Sequence, residues 1–241
     1  MIPSRWASSR LPGKPLADIG GVTMVERVYR RAAAARGVSG VLVATDDDRI
    51  AGAVARFGGT VVMTRPDHAS GTDRIAEVAR GLSCDLVVNV QGDEPALDPA
   101  AIEAAVAPLA SDPSVRMGTL GTPLDAAADL LNPNAVKVLV DRQGFALYFS
   151  RAPVPYRREA GEPLVAVLRH VGLYVYRRDF LLTLASLPRT PLERQESLEQ
   201  LRALEHGYRI KVVETAYASV SVDTAEDLER VRRLAADGLL P

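Results

Sequence analysis

Short apolar runs alternate with amphipathic segments in the first half of the chain. Three runs predict buried strands, at residues 41–45, 60–64 and 85–91. Apolar positions spaced by three and four residues predict helices at residues 23–36, 47–58, 72–81 and 98–110. Asp98 and Pro99 suit the N-cap and the first position of the last of these helices. This alternation indicates an α/β fold in which helices cover both faces of a parallel sheet.

The second half of the chain departs from this rhythm. Two apolar runs flank residues 142–145, RQGF, and predict a hairpin. A Thr190–Glu193 capping box and Gly207 predict the start and the end of one helix over residues 189–207. Further elements are predicted as strands at 170–178 and 208–215 and a helix at 224–238. We interpret the chain as a single domain, 1–241, with a smaller lobe inserted at about residues 123–207.

The first strand fits the α/β pattern poorly. Such a sheet has its first strand near the centre, yet only Met1 and Ile2 precede Pro3, whereas a strand usually spans about five residues. We therefore expect either that the sequence begins inside this strand or that the strand is a stub.

Composition narrows the function classes. The chain is 47% hydrophobic with a formal net charge of -1, so we expect neither nucleic acid nor an anionic membrane as a partner. One cysteine and three histidines argue against a closed zinc site. The sequence shows no apolar run of membrane-spanning length and no signal-peptide core, which predicts a cytoplasmic protein.

Two stretches have the composition of an anion site. Residues 2–16, IPSRWASSRLPGKPL, carry Arg5, Arg10 and Lys14 and suit a polyphosphate, although a basic surface loop is the alternative. Residues 64–74, TRPDHASGTDR, are the second stretch, with candidate ligand-binding residues Ser70, Gly71 and Arg74; a capped helix start is the alternative. A cation in a first helical turn opposes the helix dipole, so we expect Arg74 to have an anionic partner.

Two acidic stretches are candidates for a metal site. Asp93 follows a predicted strand in residues 87–95, VVNVQGDEP, and a carboxylate there suits Mg²⁺, while Gln91 suits a nucleotide or sugar. Asp223, in SVSVDTAEDL, joins this site only if the fold brings it beside Asp93; otherwise it is a helix cap.

Candidates in the second half of the chain are weaker. His170 and Tyr174 share one face of a predicted strand, and a lone histidine is more often structural than catalytic. Glu196, Glu199, Gln200 and Ala203 share one face of the helix predicted over 189–207.

Taken together, the motifs resemble those of 3-deoxy-manno-octulosonate cytidylyltransferases over nearly the whole chain. The stretches that carry the resemblance are, in order, IPSRWASSRLPGKPL, VATDDDRI, MTRPDHASGTDRIAE, VVNVQGDEP, NPNAVKVLVD, ALYFSRAPVP, RHVGLYVYR, LEQLRALEHG and VDTAEDLERV. The chain departs from the family at its N-terminus, where the family has several apolar residues before IP.

The resemblance implies a fold and an activity. The fold is a Rossmann-like nucleotidyltransferase fold of the nucleotide-diphospho-sugar transferase type, with a mixed, mainly parallel sheet and an inserted lobe that forms a homodimer. The activity is transfer of CMP from CTP to 3-deoxy-D-manno-octulosonate (Kdo), with Mg²⁺ and release of pyrophosphate, for lipopolysaccharide biosynthesis.

The resemblance also implies residue roles. Arg5 and Lys14 hold the CTP phosphates, Asp93 and Asp223 hold magnesium, and Gln91 and Asp93 lie at the reaction centre. Ser70, Gly71 and Arg74 line the nucleotide site. The residues that face the sugar acid are Arg151, His170, Tyr174, Glu199 and Gln200.

Charge neutralisation and positioning can supply most of the rate of such a transfer, so no side-chain general base is invoked. The alternatives are a cytidylyltransferase for an amino-Kdo analogue or a sialate, a uridylyl- or guanylyltransferase, and a non-catalytic CTP-binding domain. The pair Asp93 and Asp223 argues against the last, because nucleotide binding alone needs no two-carboxylate metal site.

Overall fold

The chain folds into two compact units, seen in a computed structural model that describes residues 1–7, 11–124, 127–156, 158, 167–217 and 219–240. The first unit comprises Met1–Glu103 and Ser219–Pro241, and the second comprises Ala104–Ala218. The lobe expected at about 123–207 falls within the second unit. Its role in sugar binding and dimerisation stays a prediction. Within the described ranges, no helix has the length and apolar character needed to cross a membrane.

The strands are β1 (Ile2–Ser4), β2 (Asp18–Ile19), β3 (Val22–Thr23), β4 (Leu42–Thr45), β5 (Thr60–Met63), β6 (Leu86–Asn89), β7 (Met117–Pro123), β8 (Lys137–Val140), β9 (Ala146–Ser150), β10 (Val167–Arg177) and β11 (Ile210–Glu214). The α-helices are α1 (Met24–Ala33), α2 (Asp48–Arg56), α3 (Gly71–Arg80), α4 (Pro99–Ser111), α5 (Ala127–Leu131), α6 (Arg178–Ser186), α7 (Pro191–Glu196), α8 (Gln200–Glu205) and α9 (Ala225–Ala236). A short 3₁₀ turn covers Lys14–Leu16.

A parallel sheet organises the first unit. Strand β1 pairs in parallel with β4, and β4 pairs in parallel with β5. On the other side of β1, the Met1 amine donates to the Val88 carbonyl at 2.6 Å, and the Val90 N–H donates to the Met1 carbonyl at 2.9 Å. The first strand is therefore a three-residue stub that lies between β4 and β6. Because these strands run in one direction, the residues that follow them meet at one edge of the sheet.

Helices with one apolar face cover this sheet. In α1, Met24, Val25 and Val28 are fully buried, as the spacing of a helix face requires. The last helix, α9, packs Leu228 and Val231 into a cluster that also contains Met24. This packing joins the two segments of the first unit, Met1–Glu103 and Ser219–Pro241, although more than a hundred residues of the second unit separate them in sequence.

The sheet of the second unit is mixed. Its strand order is β11-β7-β10-β8-β9; β11 is parallel to β7, and the other pairs are antiparallel. The predicted hairpin is confirmed as β8 and β9, with Gly144 at a φ of 74° in its turn. Strand β7 was not predicted from the sequence, because its residues MGTLGTP include two glycines and lack an alternating pattern.

The single helix predicted over residues 189–207 is wrong. The chain forms α7 and α8 instead, and Ser197 between them has a left-handed φ of 52°. The proposed common helical face of Glu196, Glu199, Gln200 and Ala203 therefore does not exist. No glycine or proline marks this break, so local propensity could not reveal it.

A buried ion pair joins the two short helices. Arg202 in α8 donates from Nε and Nη2 to the two carboxylate oxygens of Glu193 in α7, at 2.9 and 2.6 Å. Both side chains are almost fully buried. The Glu193 carboxylate also accepts the Thr190 backbone N–H at 3.2 Å, which is one of the two bonds of the predicted capping box. The break at Ser197 thus allows one carboxylate to serve both the helix cap and the buried arginine.

We expect Arg202→Leu to lower the free energy of unfolding by about 3 kcal/mol, because it removes the buried bidentate partner of the Glu193 carboxylate. The half-exposed Arg189, whose Nε lies 3.1 Å from Glu193 Oε1, remains as a weaker partner. Arg194→Ala, at an exposed position of α7, is the matched control and should change it by less than about 0.5 kcal/mol. Urea unfolding of the full chain measures the free energy of unfolding of both variants. Equal losses in the two variants would contradict a stabilising role for the Arg202–Glu193 pair.

The same pair predicts a dependence on pH. Burial raises the pKa of Glu193, but the hydrogen bonds from Arg202 and Thr190 outweigh it and hold the pKa below the ordinary value of 4.5. A lowered pKa contributes stability above the unfolded value and loses it as the pH falls through the folded value. The difference in the free energy of unfolding between wild type and Arg202→Leu should therefore become smaller below about pH 4.5. A difference that stays constant down to pH 3 would contradict this expectation.

Candidate active site

A pocket of about 310 Å³ lies in the first unit at the edge where β1 and β6 end. Its volume is at the lower end of the range typical of small-molecule sites. The residues that line it are Pro3, Ser4, Arg5, Lys14, Pro15, His68, Ala69, Ser70, Gly71, Arg74, Gln91, Gly92, Asp93 and Asp223. The fold therefore brings both basic stretches and both acidic stretches of the sequence to one place. Arg10 lies outside the described residues.

The Lys14 ammonium joins the two acidic stretches. It lies 2.8 Å from Asp93 Oδ2 and 3.4 Å from Asp223 Oδ1, and it donates to the Val222 carbonyl at 2.9 Å. The Lys14 side chain is only 16% exposed. Asp93 and Asp223 are 130 positions apart in sequence, yet they share one cation. The condition on which Asp223 was a candidate, that the fold bring it beside Asp93, is met.

Hydrogen bonds between backbone groups and between side chains hold the two acidic segments together. The Val222 N–H donates to the Asp93 carbonyl at 3.0 Å, and the Ser219 hydroxyl is hydrogen-bonded to the Glu94 carboxylate. Helix α9 is capped by Thr224, whose Oγ1 accepts the Asp227 N–H at 3.1 Å. Because Thr224 fills the cap position, the Asp223 carboxylate is directed to Lys14 instead.

Gly92 allows the end of β6 to approach β1. A Cβ atom at position 92 would lie 3.1 Å from the Pro3 carbonyl oxygen and 3.2 Å from Ser4 Oγ. Ser4 is 5% exposed, and its hydroxyl has no hydrogen-bond partner among the described residues. A buried polar atom without a partner in a pocket wall is suited to a ligand. Sequence reasoning missed Ser4, because a single serine beside a strand carries no signal.

Arg74 has the anionic partner that its position predicted. Its Nη2 atom lies 3.2 Å from Asp46 Oδ2, and Nη1 donates to the Thr64 hydroxyl. The residue is 4% exposed, so these contacts hold its guanidinium in one place in the pocket wall. Asp46 comes after the end of β4, and Asp93 comes after the end of β6. This shared position after a strand is a signal in the sequence that could have identified Asp46.

The start of α3 forms another wall of the pocket. Ser70 is the N-cap, and its Oγ accepts the Asp73 N–H at 3.1 Å. Gly71 is the first residue of the helix. His68 is hydrogen-bonded through Nε2 to the Glu77 carboxylate, and this contact lowers the pKa of Glu77. Sequence reasoning missed this pair.

The pocket suits a polyanion with a divalent cation. Arg5, Lys14 and Arg74 supply positive charge, and Asp93 and Asp223 supply two carboxylates. The described residues contain no group of three or more His, Cys, Asp or Glu that could hold a metal. Magnesium commonly takes only one or two protein carboxylates and completes its shell with phosphate and water oxygens. Two carboxylates that already share one cation therefore fit it.

The other predicted residues, Arg151, His170, Tyr174, Glu199 and Gln200, all lie in the second unit. Arg151 donates from Nε to the Glu196 carbonyl at 2.8 Å and from Nη1 to the Pro133 carbonyl at 3.0 Å, while its N–H donates to the Glu196 carboxylate at 2.9 Å. Its guanidinium is therefore oriented by backbone carbonyls. Sequence reasoning missed the role of Glu196 in this arrangement.

His170 belongs to an aromatic row on β10. Its ring centroid lies 5.1 Å from that of Phe149 and 5.4 Å from that of Tyr174, and Nε2 lies 3.0 Å from Thr119 Oγ1. The ring contact with Tyr174 is consistent with the predicted shared face. Burial lowers the pKa of His170 to about 3, so the imidazole is neutral and weakly basic at physiological pH.

Glu199 and Gln200 lie at the start of α8, where Glu199 is the N-cap. Gln200 is 3% exposed, and its Nε2 has no hydrogen-bond partner within the described part of the chain. Burial raises the pKa of Tyr174, and Glu199 adds to this effect through its charge, so these residues are electrostatic neighbours. Together, these second-unit residues offer hydrogen-bond donors and acceptors of the kinds that a hydroxylated acid requires.

Known proteins resemble this chain over almost its full length. A model of the Cytidylyltransferase family matches residues 1–211. A 3-deoxy-manno-octulosonate cytidylyltransferase of Syntrophotalea carbinolica is 61% identical over 96% of this chain and 95% of its own length. The corresponding protein of Geobacter sulfurreducens is 57% identical over 96% of each chain.

Solved structures give the same result. A CMP:2-keto-3-deoxy-manno-octonic acid synthetase complexed with CTP superposes with a TM-score of 0.94 at 47% identity, over 99% of this chain and 98% of that one. A 4-diphosphocytidyl-2C-methyl-D-erythritol synthase from Anaerococcus prevotii, at 12% identity and a TM-score of 0.63, over 98% of this chain and 96% of that one, shares the fold. The expected nucleotidyltransferase fold is confirmed.

Gly13 provides a test of how the basic stretch is built. It has a φ of 70°, and a Cβ there would lie 2.8 Å from the Trp6 ring. We expect Gly13→Ala to lower the free energy of unfolding by about 2–4 kcal/mol, through backbone strain and overpacking together. Gly21→Ala is the control, because Gly21 has a φ of 82° with nothing within 4 Å of its Cβ position; it should cost about 1 kcal/mol. Equal losses in urea unfolding would show that the Trp6 contact is unimportant.

Proposed function

The chain belongs to the 3-deoxy-manno-octulosonate cytidylyltransferase family, and we propose that it transfers CMP from CTP to Kdo with release of pyrophosphate. The observation that carries this proposal is the position of the Lys14 ammonium between the Asp93 and Asp223 carboxylates, in a pocket that also contains Arg5 and Arg74. These groups match the charges of a nucleoside triphosphate and its metal ion. The kinship with proteins named for this activity supplies the identity of the substrates.

The reaction joins two anions. The anomeric hydroxyl oxygen of Kdo forms a bond to the α-phosphorus of CTP, the bond from that phosphorus to the bridging oxygen breaks, and pyrophosphate leaves. The hydroxyl proton passes to solvent. Cations that neutralise the triphosphate and the sugar carboxylate lower the barrier to this approach. Arg5, Lys14 and Arg74 are the described pocket cations assigned to the triphosphate, and Arg10 keeps the same assignment as a prediction.

We assign a magnesium ion to Asp93 and Asp223. Its chemistry would be to neutralise phosphate charge and to increase the acidity of the sugar hydroxyl. The fit rests on the two carboxylates that already share the Lys14 cation. Lys14 and the metal compete for the same oxygens, so Lys14 acts as the counter-charge of the carboxylates in the metal-free chain.

The nucleotide is assigned to the walls of the pocket. Ser70 and Gly71 at the start of α3 bring backbone N–H groups and a small surface to the ligand. Arg74, fixed by Asp46, contributes a charge whose position needs no reorganisation. Gln91, which follows β6, is the amide that contacts the nucleotide or the sugar.

The sugar acid is assigned to the predicted residues of the second unit. Arg151 is the partner of its carboxylate, because an oriented guanidinium suits a carboxylate. The other residues assigned to it are His170, Tyr174, Glu199 and Gln200. The low pKa of His170 favours a hydrogen-bonding role over that of general base at neutral pH.

Several wider predictions belong to this proposal. We place the reaction in the cytoplasm and in lipopolysaccharide biosynthesis, as the predicted substrates imply. The homodimer also stays a prediction; the exposed apolar side chains of Leu131, Leu147 and Tyr156 in the second unit are consistent with it.

Pyrophosphate release tests the reaction. With CTP and Mg²⁺, we expect the wild-type chain to release pyrophosphate only when Kdo is added. Asp93→Asn and Asp223→Asn should each lower kcat by at least about 100-fold, because each removes a carboxylate from the cation site. Asp179→Asn, on a side chain that is 90% exposed, is the control and should match the wild type.

Two results would overturn parts of this proposal. Release with a sialate or an amino-Kdo analogue but not with Kdo would keep the reaction type and change the substrate. A chain that binds CTP but releases no pyrophosphate with any acceptor would be a binding domain.

Competition between Lys14 and a metal gives a test that needs no turnover. We expect Lys14→Met to bind Mn²⁺ about tenfold more tightly than the wild type in the absence of nucleotide, because a positive charge is removed from both carboxylates. Electron paramagnetic resonance of free Mn²⁺ measures this affinity, with Lys211→Met in the second unit as the control. An unchanged affinity in Lys14→Met would contradict the metal assignment to Asp93 and Asp223.

A further inference from the structure

The motif VATDDDRI, residues 43–50, contains an arginine whose contacts lead towards the pocket. Asp47 is the N-cap of α2 and accepts the Arg49 N–H at 2.9 Å. The Arg49 side chain returns to the same carboxylate, with Nε 2.9 Å from Oδ1 and Nη2 2.6 Å from Oδ2. This bidentate contact fixes the plane of the guanidinium.

The fixed guanidinium covers Trp6. The Arg49 Cζ atom lies 3.5 Å from the centroid of the Trp6 ring, which is the geometry of a cation–π contact. Trp6 directly follows Arg5, one of the cations assigned to the triphosphate. Arg49 lies outside the pocket lining, so its contact with the basic stretch passes through the indole.

Trp6 in turn contacts the residue that precedes Lys14. The Gly13 N–H donates to the Trp6 carbonyl at 3.2 Å, and the Trp6 ring lies against the position that a Gly13 Cβ would occupy. The next residue, Lys14, begins the 3₁₀ turn and directs its ammonium to Asp93 and Asp223. A continuous set of contacts therefore runs from Asp47 through Arg49, Trp6 and Gly13 to Lys14.

We propose that Arg49 is a positioning residue. It holds the Trp6 indole and thereby positions Arg5 and Lys14 for binding of the nucleoside triphosphate. This inference rests on the proposed function for the identity of the ligand. Arg49 is not assigned to the ligand itself, because two of its nitrogens are hydrogen-bonded to Asp47 and one face of its guanidinium is covered by Trp6. Small displacements of charged groups weaken the binding of a polyanion strongly, so an indirect contact has a measurable effect.

The test combines two measurements on the full chain in the absence of Kdo. Trp6 is the single tryptophan, so acrylamide quenching of its emission reports on this residue alone. Isothermal titration calorimetry with CTP and Mg²⁺ reports the affinity of the pocket. The variants are Arg49→Ala and Asp47→Asn; the latter keeps a helix-capping side chain but loses the ion pair. Arg56→Ala, at an exposed position in the last turn of the same helix, is the matched control.

We expect Arg49→Ala to raise the quenching constant of Trp6 about twofold, because the cation no longer covers the ring. Its affinity for CTP should fall about threefold to tenfold, while the melting temperature changes by less than about 2 °C. Asp47→Asn should shift quenching and affinity in the same directions by smaller factors, and Arg56→Ala should match the wild type.

Three outcomes would overturn the inference. Wild-type affinity in Arg49→Ala would show that the contact does not position the pocket cations. A loss of CTP affinity with unchanged quenching would show that Arg49 acts on the ligand without Trp6. An equal loss in Arg56→Ala would indicate a general effect of surface charge. None of these measurements involves turnover, so they stay separate from the pyrophosphate test of the proposed function.

Discussion

The contact of one ammonium with two carboxylates is the interaction on which the site depends. Lys14 lies between Asp93 and Asp223. Asp93 belongs to the N-terminal segment of the first unit, and Asp223 belongs to its C-terminal segment. Two carboxylates so close together repel each other unless a cation lies between them. Lys14 supplies such a cation, with its ammonium 2.8 Å from Asp93 Oδ2 and 3.4 Å from Asp223 Oδ1. The same requirement supports the proposed divalent-ion site at this pair, which would link the packing of the C-terminal segment to the chemistry.

The parallel sheet explains why these groups meet. Strands β1, β4 and β6 run in the same direction, so the residues after them, Arg5, Asp46 and Asp93, lie towards one edge. Asp46 then fixes Arg74, and Asp47 fixes Arg49. One cation in the pocket, Arg74, and one outside it, Arg49, are thereby held by carboxylates that are not themselves assigned to the ligand. Preorganised charge of this kind is what the transfer of a nucleotidyl group requires.

The regular elements and most of the pocket could be predicted from the sequence, because both follow local patterns. The strand after Val41, the cap at Ser70 and the acidic end of β6 each have a recognisable signal within ten residues. The break at Ser197 and strand β7 could not be predicted, because tertiary contacts such as the Glu193–Arg202 pair decide them. The meeting of Asp93 with Asp223 was conditional on the fold, and the roles of Ser4, Glu77 and Arg49 depend on contacts that spacing alone does not reveal.

If Asp93 and Asp223 act as one cation site, the effects of substituting them are coupled, and a double-mutant cycle measures this coupling. The values of kcat/KM for CTP would be measured for the wild type, Asp93→Asn, Asp223→Asn and the double variant at saturating Kdo and fixed Mg²⁺. If both carboxylates hold one ion, the double variant should lose no more than about tenfold beyond the more impaired single variant. Losses that multiply across the two substitutions would show that the carboxylates act independently and would contradict the shared site.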